Sequence, residues 1–385
     1  MGMEFRPYYF AREWQKTGHE VLCVSASFSH LRSKQPEVVG ESVIDGLNYF
    51  ILPTRPYQGN GLSRVLNMVE FVWGCFTKAR KTILDFNPDL VIAASTYTWD
   101  NWVASYYAKK CGAKYVYELH DIWPLSPMEL GGMKWWHPFI WLLQRAENFA
   151  CKHADKVISV LPAADQHLVE HGMKPEKFAY VPNGVNPEEW DVERLSSKVE
   201  VDKGEEHAFT VGYVGGHALS NALDTLIDAA AQLPNVRFVL VGKGAEKARL
   251  RKRVEVEKLE NVEFQDPVKK TDVPKTLQEF DCLYIGWTKS PLYRFGISPN
   301  KIYDYMMSGK PIIHAVEAAN NPVKDAGCGI SCDPESVSAL MGAICEMANL
   351  SHMDRTERGR LGREYILEHN LLPRLAVKFL HDAGF

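Results

Sequence analysis

The sequence predicts an α/β protein built from two Rossmann-like halves, and three observations carry that prediction. Short apolar runs bounded by turn residues alternate with helical patterns through nearly all of the 385 residues, as in parallel strands joined by helical crossovers. The alternation stops at residues 186–207, a stretch rich in Glu, Asp, Lys and Ser, and restarts beyond it. Two glycine-bearing turns, Gly215-Gly216 and Gly242-Lys243-Gly244, directly follow two of the later runs, at strand ends where open α/β sheets take their ligands.

Residues 5–16 read as an amphipathic helix, and Gly18-His19 leads into a strand at 20–26, with another at 49–52. A Rossmann half ordinarily opens with a strand and a glycine-rich turn before its first helix. Here the pattern begins at that helix, so the first strand of the amino-terminal domain is expected to be absent. Asn87-Pro88 precedes a buried strand at 89–94, followed by a helix at 101–111 and a strand at 114–119. A strand at 156–160, a helix at 164–170 and a strand at 178–181 end at the turn Pro182-Asn183-Gly184. After the polar stretch come a strand at 209–214, a helix at 221–232, and strands at 236–241, 262–264, 282–285 and 311–314. The expected domains are 1–190, a linker at 191–207, and 208–369. A last helix, within about 370–385, should return to the first domain.

Composition narrows the function. The net charge is −4, with both signs mixed and no long basic run, so nucleic acid is not expected as a partner. Eight cysteines are scattered; only Cys328 and Cys332 lie close, and no His or Cys pair completes a zinc pattern. A reduced, cytoplasmic protein is the simplest account. No apolar run is long enough to span a bilayer, and the charged, amphipathic start is not expected to be a signal peptide.

The most informative motif is Ser298-Pro299-Asn300-Lys301-Ile302-Tyr303-Asp304-Tyr305-Met306-Met307-Ser308-Gly309-Lys310-Pro311. It reads as a helix capped by Ser298, opened by Pro299 and stopped by Gly309 and Pro311. Ile302, Tyr305 and Met306 share one face; Asn300, Lys301 and Asp304 share the other. Lysine in a first turn opposes the helix dipole, which suits an anion in front of it. Asp304 lies roughly 9 Å further along the axis, about the reach from a diphosphate to a ribose. A capped surface helix with a solvated lysine is the alternative.

The Gly215-Gly216 turn, with His217 after it, lets backbone N–H groups approach a phosphate, or is an ordinary tight turn. It is neither a dinucleotide fingerprint nor a P-loop. Lys243 and Arg294 could reach the same anion, or be solvated surface charges. His120-Asp121 ends a first-domain strand and could contact a reacting group; a buried histidine satisfying backbone groups is the competing reading. Trp135-Trp136-His137-Pro138-Phe139-Ile140-Trp141, flanked by Lys134 and Arg145, suits an interfacial segment, an acceptor groove or, more commonly for such runs, the core. No Asp-x-Asp or His-Glu-x-x-His motif occurs, so a metal is not demanded.

These residues resemble the retaining glycosyltransferases of family 4, with the GT-B fold of two Rossmann-like domains facing a cleft. The likeness rests on residues 5–13 with Gly18-His19-Glu20-Val21, and on Val181-Pro182-Asn183-Gly184-Val185-Asn186. His120-Asp121-Ile122-Trp123-Pro124, Phe5-Arg6-Pro7-Tyr8-Tyr9 and Gly296 to Met306 resemble the WbuB-like O-antigen and exopolysaccharide branch, whose members are described as N-acetyl-L-fucosamine transferases. The resemblance implies that Asp304 holds the donor ribose and that Ser298, Pro299, Asn300 and Lys301 hold the diphosphate. It places His120 on the donor sugar, Gly215-Gly216 near the phosphates and Pro267-Val268 beside the base. Arg294 and Lys301 are expected as compensating cations, and Glu4, Arg6 and Trp123 are expected on the acceptor side. The first acidic residue of the family motif is replaced by Gly296.

The expected activity is retaining transfer of a hexosyl or N-acetylhexosaminyl group from a nucleoside-diphosphate sugar, UDP-linked, to a glycan or polyprenyl-diphosphate-linked acceptor. No metal or other cofactor is expected. Peripheral contact with the inner face of the plasma membrane through the Trp135 region accords with such acceptors. A non-hydrolysing sugar-nucleotide epimerase and a catalytically inactive binding subunit are the alternatives.

Overall fold

A computed structural model describes residues 5–30, 32, 34–59, 61–95, 97–190 and 208–385. The chain divides into two compact units, Met1–Pro182 with Leu372–Phe385, and Asn183–Leu371. The expected linker at 191–207 lies outside the described residues.

In the first unit, helix Phe5–Lys16 precedes strands β1 (Leu22–Ala26), β2 (Gly40–Ile44) and β3 (Leu47–Leu52). These form a three-stranded sheet in the order β1-β3-β2, with β1 parallel and β2 antiparallel to β3. Strands β4 (Leu90–Ala93), β5 (Lys114–Leu119), β6 (Lys156–Ser159) and β7 (Phe178–Tyr180) form a second, fully parallel sheet in sequence order. Such sheets are covered on both faces, and the interior of β5 is accordingly apolar: Tyr115, Val116, Tyr117 and Leu119 are all buried. Helix Leu372–Ala383 supplies part of that cover. Leu372, Leu375, Ala376 and Phe379 pack on Phe10, Val116 and Ile158, and Trp14 Nε1 donates to the Ala376 carbonyl at 2.9 Å.

The second unit is one parallel sheet of β8 (Thr210–Val214), β9 (Arg237–Val241), β10 (Val262–Gln265), β11 (Cys282–Gly286), β12 (Ile312–Ala315) and β13 (Gly329–Cys332). Its spatial order is β10-β9-β8-β11-β12-β13. The chain therefore winds outward in one direction from β8 and in the other from β11. That reversal leaves a crevice at the carboxyl ends of β8 and β11. One face is closed by helices Leu223–Gln232 and Val337–Asn349, through Leu226, Ile227, Leu340 and Ile344. The other is closed by Asn300–Ser308 and His352–His369, through Ile302, Met306, Met307 and Ile366.

Residues 183–190, expected at the end of the first domain, pack in the second unit instead. Val185 and Trp190 are buried in its core, and Val185 N–H donates to the Asn370 carbonyl at 2.9 Å. The tryptophan run is the other departure. Ile140 and Leu143 are buried, but Trp135, Trp136 and Trp141 are 70 %, 63 % and 56 % exposed. Helix Pro138–His153 buries only one stripe, so the indoles that sequence density suggests for the core face outward.

Candidate functional site

The crevice of the second unit gathers most of the predicted anion-binding residues. At its floor two glycine turns pack backbone against backbone. Gly242 has φ +148°, and a Cβ there would lie 1.9 Å from the Gly215 oxygen; no other residue type fits. The price of this contact is donors. Gly215 N–H goes to the Val241 carbonyl (3.0 Å) and His217 N–H to the Lys243 carbonyl (2.9 Å). Gly216 N–H takes no part in these bonds, where the sequence suggested the turn as a whole for a phosphate.

Lys301 stands over this turn; a Cβ on Gly215 would be 3.6 Å from its Cδ. Its ammonium bonds Tyr213 Oη at 3.2 Å and Asn221 Oδ1, and lies 5.0 Å from the Tyr213 ring centroid and 5.7 Å from that of Trp287. These partners are neutral. Burial without a counter-charge disfavours the ammonium and pushes its pKa down to about 7. The cage is itself held. Tyr213 Oη donates to the Gly216 carbonyl at 2.6 Å, and Asn221 Nδ2 donates to the same atom at 2.8 Å. Trp287 Nε1 donates to His314 Nε2 at 3.1 Å, and His314 Nδ1 faces Asn321 Oδ1 at 3.0 Å. That fixes His314 as the neutral Nδ1–H tautomer.

His217 lies beside the cage, wholly buried, and neither ring nitrogen has a hydrogen-bond partner. Burial, then the charges of Lys247 and Lys301, lower its pKa to about 4. Buried nitrogens of this kind are unusual and point to a missing partner.

Helix Asn300–Ser308 begins differently from its predicted start. Pro299 is the N-cap and makes no side-chain cap bond. Ser298 Oγ instead accepts from Asn183 N–H at 3.0 Å and sits 3.0 Å from Tyr303 Oη, while the Ser298 carbonyl accepts from Asn183 Nδ2 at 2.7 Å. The hydroxyl expected to cap the helix thus anchors Asn183 to it. The stop is as expected: Gly309 has φ 74° and ψ 20°, the left-handed conformation that glycine adopts freely. Asp304 is buried, not on a solvated face. Both its oxygens accept from Lys270 Nζ, at 2.7 and 2.6 Å. Burial raises its pKa and the Lys270 charge opposes that.

The remaining predicted residues are less engaged. Arg294 is exposed; its guanidinium bonds the Pro291 carbonyl and stacks 4.2 Å over Phe295. Lys243, Asn300, Pro267 and Val268 are exposed.

In the first unit, β5 ends in a buried charge chain. Arg6 Nε donates to Glu118 Oε1 at 2.7 Å, and His120 Nε2 lies 3.3 Å from Glu118 Oε2. Burial works to raise the Glu118 pKa, but Arg6 and His120 prevail and hold it at about 2. Arg6 is 5 % exposed and also donates to the carbonyls of Val181 and Pro182. Its charge faces inward, so it braces Glu118 and His120 and does not present an acceptor contact. Asp121 is exposed, and Trp123 carries Arg64 5.1 Å over its ring. Glu4 lies outside the described residues.

Sequence reasoning missed Tyr213, Trp287 and Lys270. Trp287 had a usable signal, since it follows β11 at the crevice. It also missed Asp100, buried, with Oδ1 lacking a hydrogen-bond partner and its pKa raised to about 7 by burial.

Comparison with known proteins gives two family models. Residues 2–189 match the model described as glycosyltransferase family 4, and residues 208–349 match that of glycosyl transferases group 1. The chain is 22 % identical over 361 residues, 86 % of its length and 85 % of the other's, to a protein of Escherichia coli (strain K12) assigned as the colanic acid biosynthesis glycosyl transferase WcaI. Solved structures of similar fold include sucrose-phosphate synthase from Thermosynechococcus elongatus (TM-score 0.77, 17 % identity, 99 % of this chain and 92 % of that one). WaaG, a glycosyltransferase of lipopolysaccharide biosynthesis, gives 0.68, 16 %, 98 % and 95 %. Anabaena HepE, solved with UDP-glucose, gives 0.62, 18 %, 88 % and 86 %. At these identities the likeness is one of fold, and that fold is GT-B.

Proposed function

We propose that the chain, whose two halves match the family 4 and group 1 glycosyltransferase models, transfers a sugar from a nucleoside diphosphate with retention at the anomeric carbon. The observation that carries this reading is the Lys301 cage: a desolvated ammonium held only by neutral groups at the switch point of the sheet. A diphosphate is the counter-charge such a cation lacks. Breaking the sugar–phosphate bond adds nearly a full charge to the leaving group, and a fixed cation aimed there stabilises the transition state more than the ground state.

We assign Gly216 N–H and Lys301 to the diphosphate, with His217 beside them. Asp304, shared with Lys270, is assigned to the ribose. His120, braced by Glu118, is assigned to the transferred sugar. UDP is our choice of carrier, supported by the neighbours solved with UDP or UDP-sugars. We read transfer as metal-independent, because no Asp-x-Asp occurs in the sequence and a protein cation stands in the crevice. The acceptor is taken as a glycan on a lipid carrier at the cytoplasmic membrane face. Exposed Trp135, Trp136 and Trp141, with Arg145 4.7 Å over Trp141, support that placement.

Purified protein screened against UDP-, GDP- and dTDP-sugars should transfer from one UDP-sugar. Lys301→Ala should reduce turnover at least 100-fold while circular dichroism is unchanged. Near-native turnover in that variant would sink the assignment. Isomerised donor without acceptor would instead mark an epimerase.

A further inference from the structure

We propose that the first unit holds a site for a divalent first-row transition ion, Zn²⁺ being the best fit, formed by Glu147, His167 and His171. It lies in the first unit, on helix Pro138–His153 and on helix Asp165–Glu170 with its C-cap His171. One ligand atom from each residue lies within 4.8 Å of the others. His167 and His171 are four apart, and their ring centroids lie 4.4 Å apart with the planes tilted by 55°. Glu147 Oε2 is already 3.2 Å from His167 Nε2. Ligands about 2.0 Å from a tetrahedral zinc sit roughly 3.3 Å apart, so one edge of the polyhedron is in place.

Two independent features call for a cation. Glu147 is fully buried, and among the described residues its one ion-pair partner is His167; no lysine or arginine reaches it. Its Oε1 has no hydrogen-bond partner. A buried carboxylate in this state is costly without a positive charge beside it. The second feature is a conflict of donors. Gln144 Nε2 lies 2.7 Å from Glu147 Oε2, 2.9 Å from Asn148 Oδ1 and 3.0 Å from His171 Nδ1, and the last two atoms are 2.9 Å apart.

Gln144, Asn148 and His171 therefore form a closed triangle. If His171 Nδ1 carries a proton, it meets the Gln144 amide donor with donor; if not, it meets the Asn148 carbonyl with acceptor. Turning the Asn148 amide sets two NH₂ groups together, and turning Gln144 sets its oxygen against the Glu147 carboxylate. No assignment satisfies every pair. A metal ion held by Glu147, His167 and His171 removes the conflict, because carboxylate oxygen and imidazole nitrogen each offer it a lone pair, and the Asn148 amide oxygen, 2.9 Å from His171 Nδ1, offers a further one. Gln144 is then a competitor for the position, held by rotatable bonds, and swings out when the ion enters. Bound zinc would tie residues 138–153 to residues 165–171 as a structural staple.

The test uses the full chain stripped with EDTA. Zn²⁺ is titrated against a chromophoric chelator, and Co²⁺ is titrated with its visible absorption recorded. One equivalent of Zn²⁺ should bind and raise the melting temperature. His171→Ala and Glu147→Gln should each weaken binding at least tenfold. Gln144→Ala leaves every ligand in place and should tighten binding several-fold. Tightening supports the site even if the ligand variants fail to fold. The absence of saturable binding in both the native chain and Gln144→Ala overturns the proposal. So does Zn²⁺ affinity unchanged by His171→Ala in a folded variant, or a Co²⁺ spectrum with thiolate charge-transfer bands, which would place the metal on the cysteines.

Discussion

Lys301 makes donor affinity depend on pH in a direction that can be worked out. In the unliganded protein burial holds its pKa near 7. A diphosphate beside it favours the ammonium and pulls the pKa back toward the ordinary lysine value of about 10.4. Binding therefore takes up a proton at any pH between those two values. By linkage, affinity falls as pH rises through this window, by up to about tenfold per unit, equivalent to about 1.4 kcal/mol. Titrating UDP calorimetrically from pH 7.5 to 9.5 keeps its terminal phosphate fully ionised (second pKa about 6). The dissociation constant should rise by roughly 30- to 100-fold across those two units.

Proton uptake is readable directly, because the observed heat then varies with the ionisation enthalpy of the buffer. Lys301→Arg keeps a charge throughout and should bind with a flat profile. Lys301→Met should bind weakly with a flat profile. A native profile that is flat from pH 7.5 to 9.5, with no buffer dependence, would show that Lys301 is charged before the ligand arrives, and the cage argument would fail. A native profile that falls while Lys301→Arg falls equally would assign the proton to another group.

The same cage should trade stability for binding. Its folded pKa lies below its unfolded one, so between about pH 7 and 10 the unfolded chain binds more protons, and stability contributed by this site rises with pH. Lys301→Met should therefore stabilise the unliganded protein at pH 7, by on the order of 1–3 kcal/mol, seen as a higher urea midpoint; a lower midpoint would contradict this. Glu118→Gln strands the buried Arg6 charge and should cost about 3–5 kcal/mol, whereas an Arg6→Met, Glu118→Leu double variant should recover most of it in urea melts. Gly242→Ala forces a Cβ into the Gly215 oxygen and should lower stability by more than about 3 kcal/mol, with UDP binding lost; a near-native melt would mean that the turn relaxes. Replacing Trp135, Trp136 and Trp141 together by Ser should abolish co-flotation with anionic liposomes while leaving the melting temperature within a degree or two; retained flotation would remove these indoles from membrane contact.

What the sequence made legible here follows the range of the forces involved. Most strand positions, and helices such as the one stopped by Gly309, were readable because alternation and turn residues act within a few residues of themselves; β2, β13 and helices Leu62–Thr77, Arg80–Phe86 and His352–His369 were not placed. The anion site was readable in outline for the same reason: Lys301 and the glycine turns are local motifs set at strand ends. The details that decide its chemistry come from partners far along the chain. Ser298 is drawn from capping by Asn183, 115 residues away, and Asp304 is claimed by Lys270, 34 residues away. The caging of Lys301 by Tyr213 and Asn221 spans 88 and 80 residues. No local rule marks these pairs, because a tyrosine that closes a cation cage has the same sequence signature as one filling a core. The tryptophan run failed for a related reason. Apolar density reports how much surface must be covered, not by what, and helix Pro138–His153 spends its buried stripe on Ile140, Leu143 and Ala146. Exposed indoles, Trp141 among them beside Arg145, are what remains when that stripe is already filled, which is why the density that suggested a core now argues for a surface that meets something apolar.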